Sequence, residues 1–122
     1  MNSNTLLTAP TILAAVMISV SPVARAETPV DRGMALYQAR CTGCHSTDHN
    51  RAGPAHRGVF GRHAGTVPDY VYSPALKASG LVWTRENLDL WLAGPERLVP
   101  GQKMGYSVPD AKDRSDLIAY LK

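Results

Sequence analysis

The sequence predicts an all-α domain of four short helices joined by long loops, and three observations carry that prediction. Four segments each begin with a Ser, Thr or Asp directly before a helical pattern. Almost no stretch shows the apolar–polar alternation of a half-buried strand. The chain from Thr47 to Tyr72 holds Gly53, Pro54, Gly58, Gly61, Gly65 and Pro68, too many breakers for a long helix or strand.

Residues 1–26 read as a secretory leader ahead of that domain. The run "ILAAVMISV", Ile12 to Val20, is apolar but too short to span a bilayer, and Pro10 and Pro22 bracket it. Downstream, "ARA" at Ala24 to Ala26 is the small-x-small pattern of a signal peptidase site. Cleavage after Ala26 leaves one domain, residues 27–122, exported to the periplasm and without stable membrane insertion. The segment "MNSNTLLT" has no Lys or Arg, which keeps an uncleaved anchor open as the alternative.

Within residues 27–122, Thr28 caps the first helix and Pro29 takes its first position. Val30, Met34, Tyr37 and Cys41 follow as one apolar stripe, so Met34 is assigned to the core. "SPALKASG" is a short helix with Ser73 as cap, Pro74 first and Gly80 as terminator. "TRENLDLWLAGP" repeats this grammar: Thr84 caps, Leu88, Trp91 and Leu92 share a face, and Gly94 and Pro95 stop it. "ERLVPGQKMGYSVP" is expected as loop. The last helix, "DAKDRSDLIAYLK", is capped by Asp110 and turns Leu117, Tyr120 and Leu121 to the core. Helices this short are marginal alone, and a domain this small needs a staple or a cofactor to complete its core.

The composition narrows the function classes. Formal net charge is +3, Arg25 falls in the leader, and no Lys/Arg run marks a nucleic-acid surface. Both cysteines stand in "RCTGCHSTDHN", residues 40–50. Zinc is poorly served: Cys41, Cys44, His45 and His49 are nominal ligands, but a second, separated ligand pair is missing. A redox dithiol is expected beside a βαβ pattern, whereas helix and loop surround this motif. C-x-x-C-H is the attachment signature of c-type haem. Two sulfurs add to the two vinyl groups, two residues bridge them, and His45 follows as an iron ligand. An apolar disc also gives short helices and a glycine-rich loop something to pack against.

The sixth iron position is then the test. Removing the leader leaves Met34 and Met104. Met104 lies in the interhelical loop "VPGQKMGY", far enough along the chain to reach the opposite haem face, and is the preferred ligand. His56 and His63 are the rivals, which would make a bis-histidine site; His49 stands too close to His45.

With these residues in place, the chain resembles the small soluble cytochromes c of mitochondrial and bacterial type, over about Val30 to Lys122. The resemblance rests on "CTGCH", "GPAHRGVFGR", "YVYS", "LVW", "PGQKM" and "RSDLIAYLK". It implies the cytochrome c fold around one haem c, covalent through Cys41 and Cys44, with His45 and Met104 as axial ligands. It implies that the Pro54 carbonyl accepts the other imidazole N–H of His45. Arg62, Tyr72 and Trp83 fall where the family bonds or shields the haem propionates, and Tyr106 where an aromatic covers the haem edge. Gly33 and Tyr37 match the crossing of the first helix with the last, at Leu117 and Tyr120. Three positions depart from the pattern. His56 replaces an apolar residue near the axial histidine, and is expected either to pair with a propionate or to be exposed. Trp91 replaces a tyrosine that bonds the methionine sulfur, and is expected to donate its indole N–H or only to pack. Leu76 replaces a polar residue of an inner, water-bearing pocket.

His/Met ligation fills the iron and implies a monomeric one-electron carrier of respiratory-chain kind, not an enzyme. Its partners are redox proteins, met through local positive charge at Arg40, Arg51, Arg97 and Lys103. Two alternatives are a peroxidase-like haem enzyme with a labile sixth ligand and a fixed electron-accepting subunit of a periplasmic dehydrogenase.

Overall fold

Thr28 and Asp31 start the first helix by satisfying each other's backbone. The Thr28 hydroxyl accepts from Asp31 N at 3.1 Å, the Asp31 carboxylate accepts from Thr28 N at 3.0 Å, and α1 runs Pro29–Arg40. The coordinates are a computed structural model and describe residues 25–122. The expected leader, apart from Arg25 and Ala26, lies outside the described residues. Ser73 caps α2, Pro74–Ala78, which stops before Gly80 at φ +66°. Thr84 caps α3, Arg85–Ala93. Asp110 caps the last helix, Ala111–Leu121, by accepting from Asp113 N at 2.8 Å.

The loop expected after Gly94 begins instead with a one-turn helix, α4, Pro95–Leu98, which makes the last helix α5. The Gly94 carbonyl accepts from both Arg97 N and Leu98 N. The proline that ends α3 is also pre-set for a first helical position, so the chain turns and restarts.

Among the described helices, α1 packs most extensively against α5 and crosses it closely. A Cβ on Gly33 would lie 2.0 Å from the Asp116 carbonyl oxygen, so the two backbones meet only because position 33 has no side chain. Tyr37 packs on Tyr120, ring centroids 5.3 Å apart. Arg32 grips the buried Asp116 carboxylate with two bonds, 2.8 and 3.1 Å, and Lys112 adds a third at 2.6 Å. These hydrogen bonds hold the Asp116 pKa down at about 2.

That approach corrects the expected stripe. Val30 is 48 % and Met34 41 % exposed, so Met34 is not core. Contact with α5 through Gly33 rolls the buried face of α1 onto Gly33, Leu36 and Tyr37. The core continues through Trp83, Leu88, Trp91, Leu117 and Ile118. Leu76 joins this apolar cluster. Among the described residues the only β pairing is an isolated bridge between His63 and Val82, and no helix is long and apolar enough to cross a membrane.

Candidate functional site

The end of α1 builds the thiol motif. Cys41 N–H donates to the Tyr37 carbonyl at 2.9 Å, which ties the first cysteine to the last helical turn. The Cys41 carbonyl then accepts from Cys44 N at 3.1 Å and His45 N at 2.8 Å. One tight turn therefore carries both thiols and the imidazole. Both cysteines are free, and burial pushes the Cys41 thiol up. A raised thiol pKa is the opposite of what an exchanging dithiol needs. Among the described residues no three His, Cys, Asp or Glu side chains are grouped to hold a metal ion, and His49 bonds Ser46 Oγ at 3.1 Å. The four-ligand set of a structural zinc is not assembled.

His45 is fixed from the loop that follows. Its Nδ1 lies 2.9 Å from the Pro54 carbonyl oxygen. A carbonyl only accepts, so Nδ1 carries the proton and Nε2 keeps its lone pair. Burial lowers the His45 pKa, so the imidazole is further biased to the neutral form a metal ligand requires. Gly53 makes this possible: a Cβ there would stand 2.2 Å from His45 Cε1. Its N–H also donates to the Cys44 carbonyl at 2.7 Å, pinning the loop to the motif.

His56 is not the exposed residue that one expectation had. It is partly buried, its ring stacks on His45 at a centroid distance of 4.0 Å and 21° between planes, and its Nδ1 meets the Tyr37 hydroxyl at 3.1 Å. Desolvation, then the charges of His45 and Arg62, drive its pKa down to about 3. An ionised imidazole would be poorly solvated there, whereas Tyr37 satisfies a neutral one. His63 is exposed and held in the bridge to Val82.

Met104 is reached from α3. The Trp91 indole N–H donates to Met104 Sδ at 3.2 Å, and Met104 N–H donates to the Gln102 side chain. Trp91 is buried and meets Trp83 edge-on, centroids 5.2 Å apart. Trp83 N–H in turn donates to the Arg62 carbonyl at 2.9 Å, which brings these two expected propionate residues together. Arg62 donates from Nη1 to the Arg57 carbonyl and from Nη2 to the Ala55 carbonyl, at 2.8 and 3.0 Å. Its Nε is buried with no partner. Tyr72 accepts from Val67 N at 3.2 Å, leaving its own hydroxyl proton to donate, and Tyr106 is 43 % exposed.

Sequence reasoning missed the steric role of Gly53, the Gln102 hold on Met104 and the stacking of His56. A glycine directly before Pro54, whose carbonyl is the candidate acceptor, was a usable signal for the first. The other two depend on contacts across the fold.

These residues fit haem. Two free thiols and a pre-oriented imidazole share one turn, and a buried guanidinium N–H lacks the anionic acceptor a propionate would supply. Fold and site define a helical protein built to carry covalent haem. The family profile of cytochrome c matches residues 30–122. The chain is 45 % identical to the cytochrome c of Euglena viridis over 95 residues, 75 % of this chain and 93 % of the relative. It is 44 % identical over 97 residues to the cytochrome c2 of Rhodopila globiformis, covering 77 % and 91 %. Among solved structures, cytochrome cH from Methylobacterium extorquens superposes with a TM-score of 0.73 at 41 % identity, covering 75 % of this chain and 95 % of that one. The chain belongs to the cytochrome c family. Members of that family carry covalent haem c and move electrons to and from redox partners; they are not enzymes. Cys41 and Cys44 stand in the attachment spacing.

Proposed function

We propose that this chain is a periplasmic one-electron carrier whose haem iron is held by His45 and Met104 together. The observation that carries this reading is the 3.2 Å bond from the buried Trp91 indole to Met104 Sδ. A methionine that merely fills a surface gap has no need of a sulfur position fixed from α3. Bound haem supplies the one-electron couple, and a filled coordination sphere favours outer-sphere transfer over substrate chemistry. The protein's part is orientation and shielding. Pro54 sets the His45 tautomer, Trp91 and Gln102 set the sulfur, and Arg62, Tyr72 and Trp83 attend the propionates while Tyr106 covers the edge. Thioether ligation favours ferrous iron and raises the potential.

Partners are redox proteins met as a monomer through transient contacts. Arg51, Arg97 and Lys103 are exposed and direct hydrogen bonds to the carbonyls of Thr42, Ala93 and Val71, with no ion pair among the described residues. Arg40 contributes less, because Asp113 pairs with it at 3.0 Å. The leader "ILAAVMISV…ARA" supports export.

Met104→Ala tests the ligand assignment. The variant is expected to keep haem through acid-solvent extraction, to lose the ferric charge-transfer band of sulfur on iron, and to show a lower potential. A band that survives the substitution rules Met104 out. Electron transfer to an acidic partner should slow modestly with added salt, and a rate that rises instead rejects the cationic patch.

A further inference from the structure

We infer that His56, clamped between the Tyr37 hydroxyl and the face of the His45 ring, is a positioning residue that fixes the plane of the iron-bound imidazole and lowers the reduction potential through its stacked face. This deepens the proposed function and rests on His45 being an iron ligand.

The clamp is built from three directions. His56 N–H donates to the Ser46 carbonyl at 3.0 Å, so its backbone is tied to the residue that follows His45. The His56 carbonyl accepts from Val59 N at 2.9 Å, which closes a turn behind it. The ring itself is held by Tyr37, whose hydroxyl is 3.1 Å from Nδ1 and whose rings meet at 5.7 Å, edge to face. Tyr37 is only 3 % exposed and packs on Tyr120 at the α1–α5 crossing, which holds its hydroxyl in place. The Pro54 bond holds His45 at Nδ1, and the Gly53 backbone lies close against the ring. The parallel ring of His56, 4.0 Å away, covers a face of that ring and opposes its rotation out of plane.

The electronic consequence follows from the same contact. With haem bound, oxidation of the iron would draw electron density from the His45 imidazole and make it more positive. The π face of a neutral ring stabilises positive charge lying over it, as in a cation–π pair. The stacked His56 therefore favours the ferric form. Its effect opposes that of the methionine sulfur.

Three holoprotein variants test this: His56→Leu, His56→Phe and Tyr37→Phe. Leucine has similar bulk but no π face. It is expected to shift the oxidised-to-reduced ratio at fixed ambient potential about threefold toward the reduced form, or about 30 mV upward at 59 mV per tenfold. It should also change the ferric electron paramagnetic resonance g-values and the spread of haem-methyl shifts, which report the axial ring plane. Phenylalanine keeps a stacked face, so H56F is expected to hold the wild-type potential within a third of that shift. Y37F should move the g-values in the same sense as H56L, by less, because the ring loses its clamp. A purely structural role would lower thermal midpoints without moving the g-values. If H56L retains covalent haem, the sulfur band and wild-type g-values and potential, the inference falls and the carrier reading stands. If H56F shifts as far as H56L, site polarity and not the stacked face sets the potential, and the inference falls. A wild-type protein that takes up no haem in a competent host overturns both.

Discussion

The α1–α5 crossing and the loop of residues 46–72 stabilise the same site by opposite means. At the crossing two helices satisfy their own backbones and meet through Gly33, with Asp116 gripped by Arg32 and Lys112. The loop has no regular ladder: scattered backbone bonds, such as Arg57 N–H to the Thr47 carbonyl at 2.8 Å, are joined by side chains reaching backbone. Asn50 Nδ2 donates to the Pro68 carbonyl and Asn50 Oδ1 accepts from Ala55 N, both at 2.9 Å. The Tyr70 hydroxyl donates to the Ala52 carbonyl at 2.8 Å. Arg62 spans to Ala55 and Arg57. The crossing depends on one close backbone approach at Gly33 and one buried carboxylate, whereas the loop spreads its stability over many bonds of modest worth. A single change should therefore break the first and only loosen the second, except where the loop touches His45.

The largest expected effect is Gly33→Ala. The added methyl would meet backbone at 2.0 Å, which no rotamer relieves. Overpacking of this kind is expected to cost about 3 kcal/mol or more in guanidinium unfolding of the holoprotein. A cost below about 1 kcal/mol would show that the helices can slide apart.

Gly53→Ala asks whether the loop has one point as unforgiving. Its Cβ would meet the His45 ring at 2.2 Å. Far-ultraviolet circular dichroism should keep the helical signal, while the low-spin ferric spectrum of a ligated His45 is lost or strongly reduced. An unchanged spectrum would mean that the loop yields where the crossing cannot.

Acid sharpens the contrast next. Asp116 titrates at about 2 in the fold against an ordinary 3.8. Its pKa is depressed, so its contribution is fully present above 3.8 and is lost as pH falls through about 2. Unfolding followed between pH 5 and 2 should show stability falling in that window, and Asp116→Asn should flatten the limb by lowering stability at neutral pH. A parallel acid limb in the variant would place the sensitivity elsewhere.

The smallest effect belongs to the loop. Tyr70→Phe removes one exposed hydroxyl bond and should cost about 1 kcal/mol, with no change in the visible spectrum. A spectrum that shifts would mean that this staple also places Pro54.

The helices were legible because their information is local. Thr28, Ser73, Thr84 and Asp110 each cap the helix expected of them. The C-x-x-C-H spacing, read with its helical surroundings and Met104, pointed to haem, because attachment chemistry is confined to five residues. The turn at Pro95 was read as a stop because proline ends one helix and opens another with the same geometry. Met34 was misplaced because periodicity locates an apolar stripe but not the angle at which a neighbour meets it.

The sequence by itself determined the all-α class, the helix starts, the cofactor and the residue types offered to it. These follow from caps, breakers and spacing, which act over a few residues. The family resemblance placed Gly33 at the α1–α5 crossing and Trp91 beside Met104; tertiary structure alone decided that this crossing turns Met34 out of the core, that Trp91 donates its indole N–H to Met104 rather than only packing, and that His56 lies flat against His45. Each of these contacts joins segments that the chain brings together only when it closes on itself. Their distances are set by packing, and no local rule of sequence contains them.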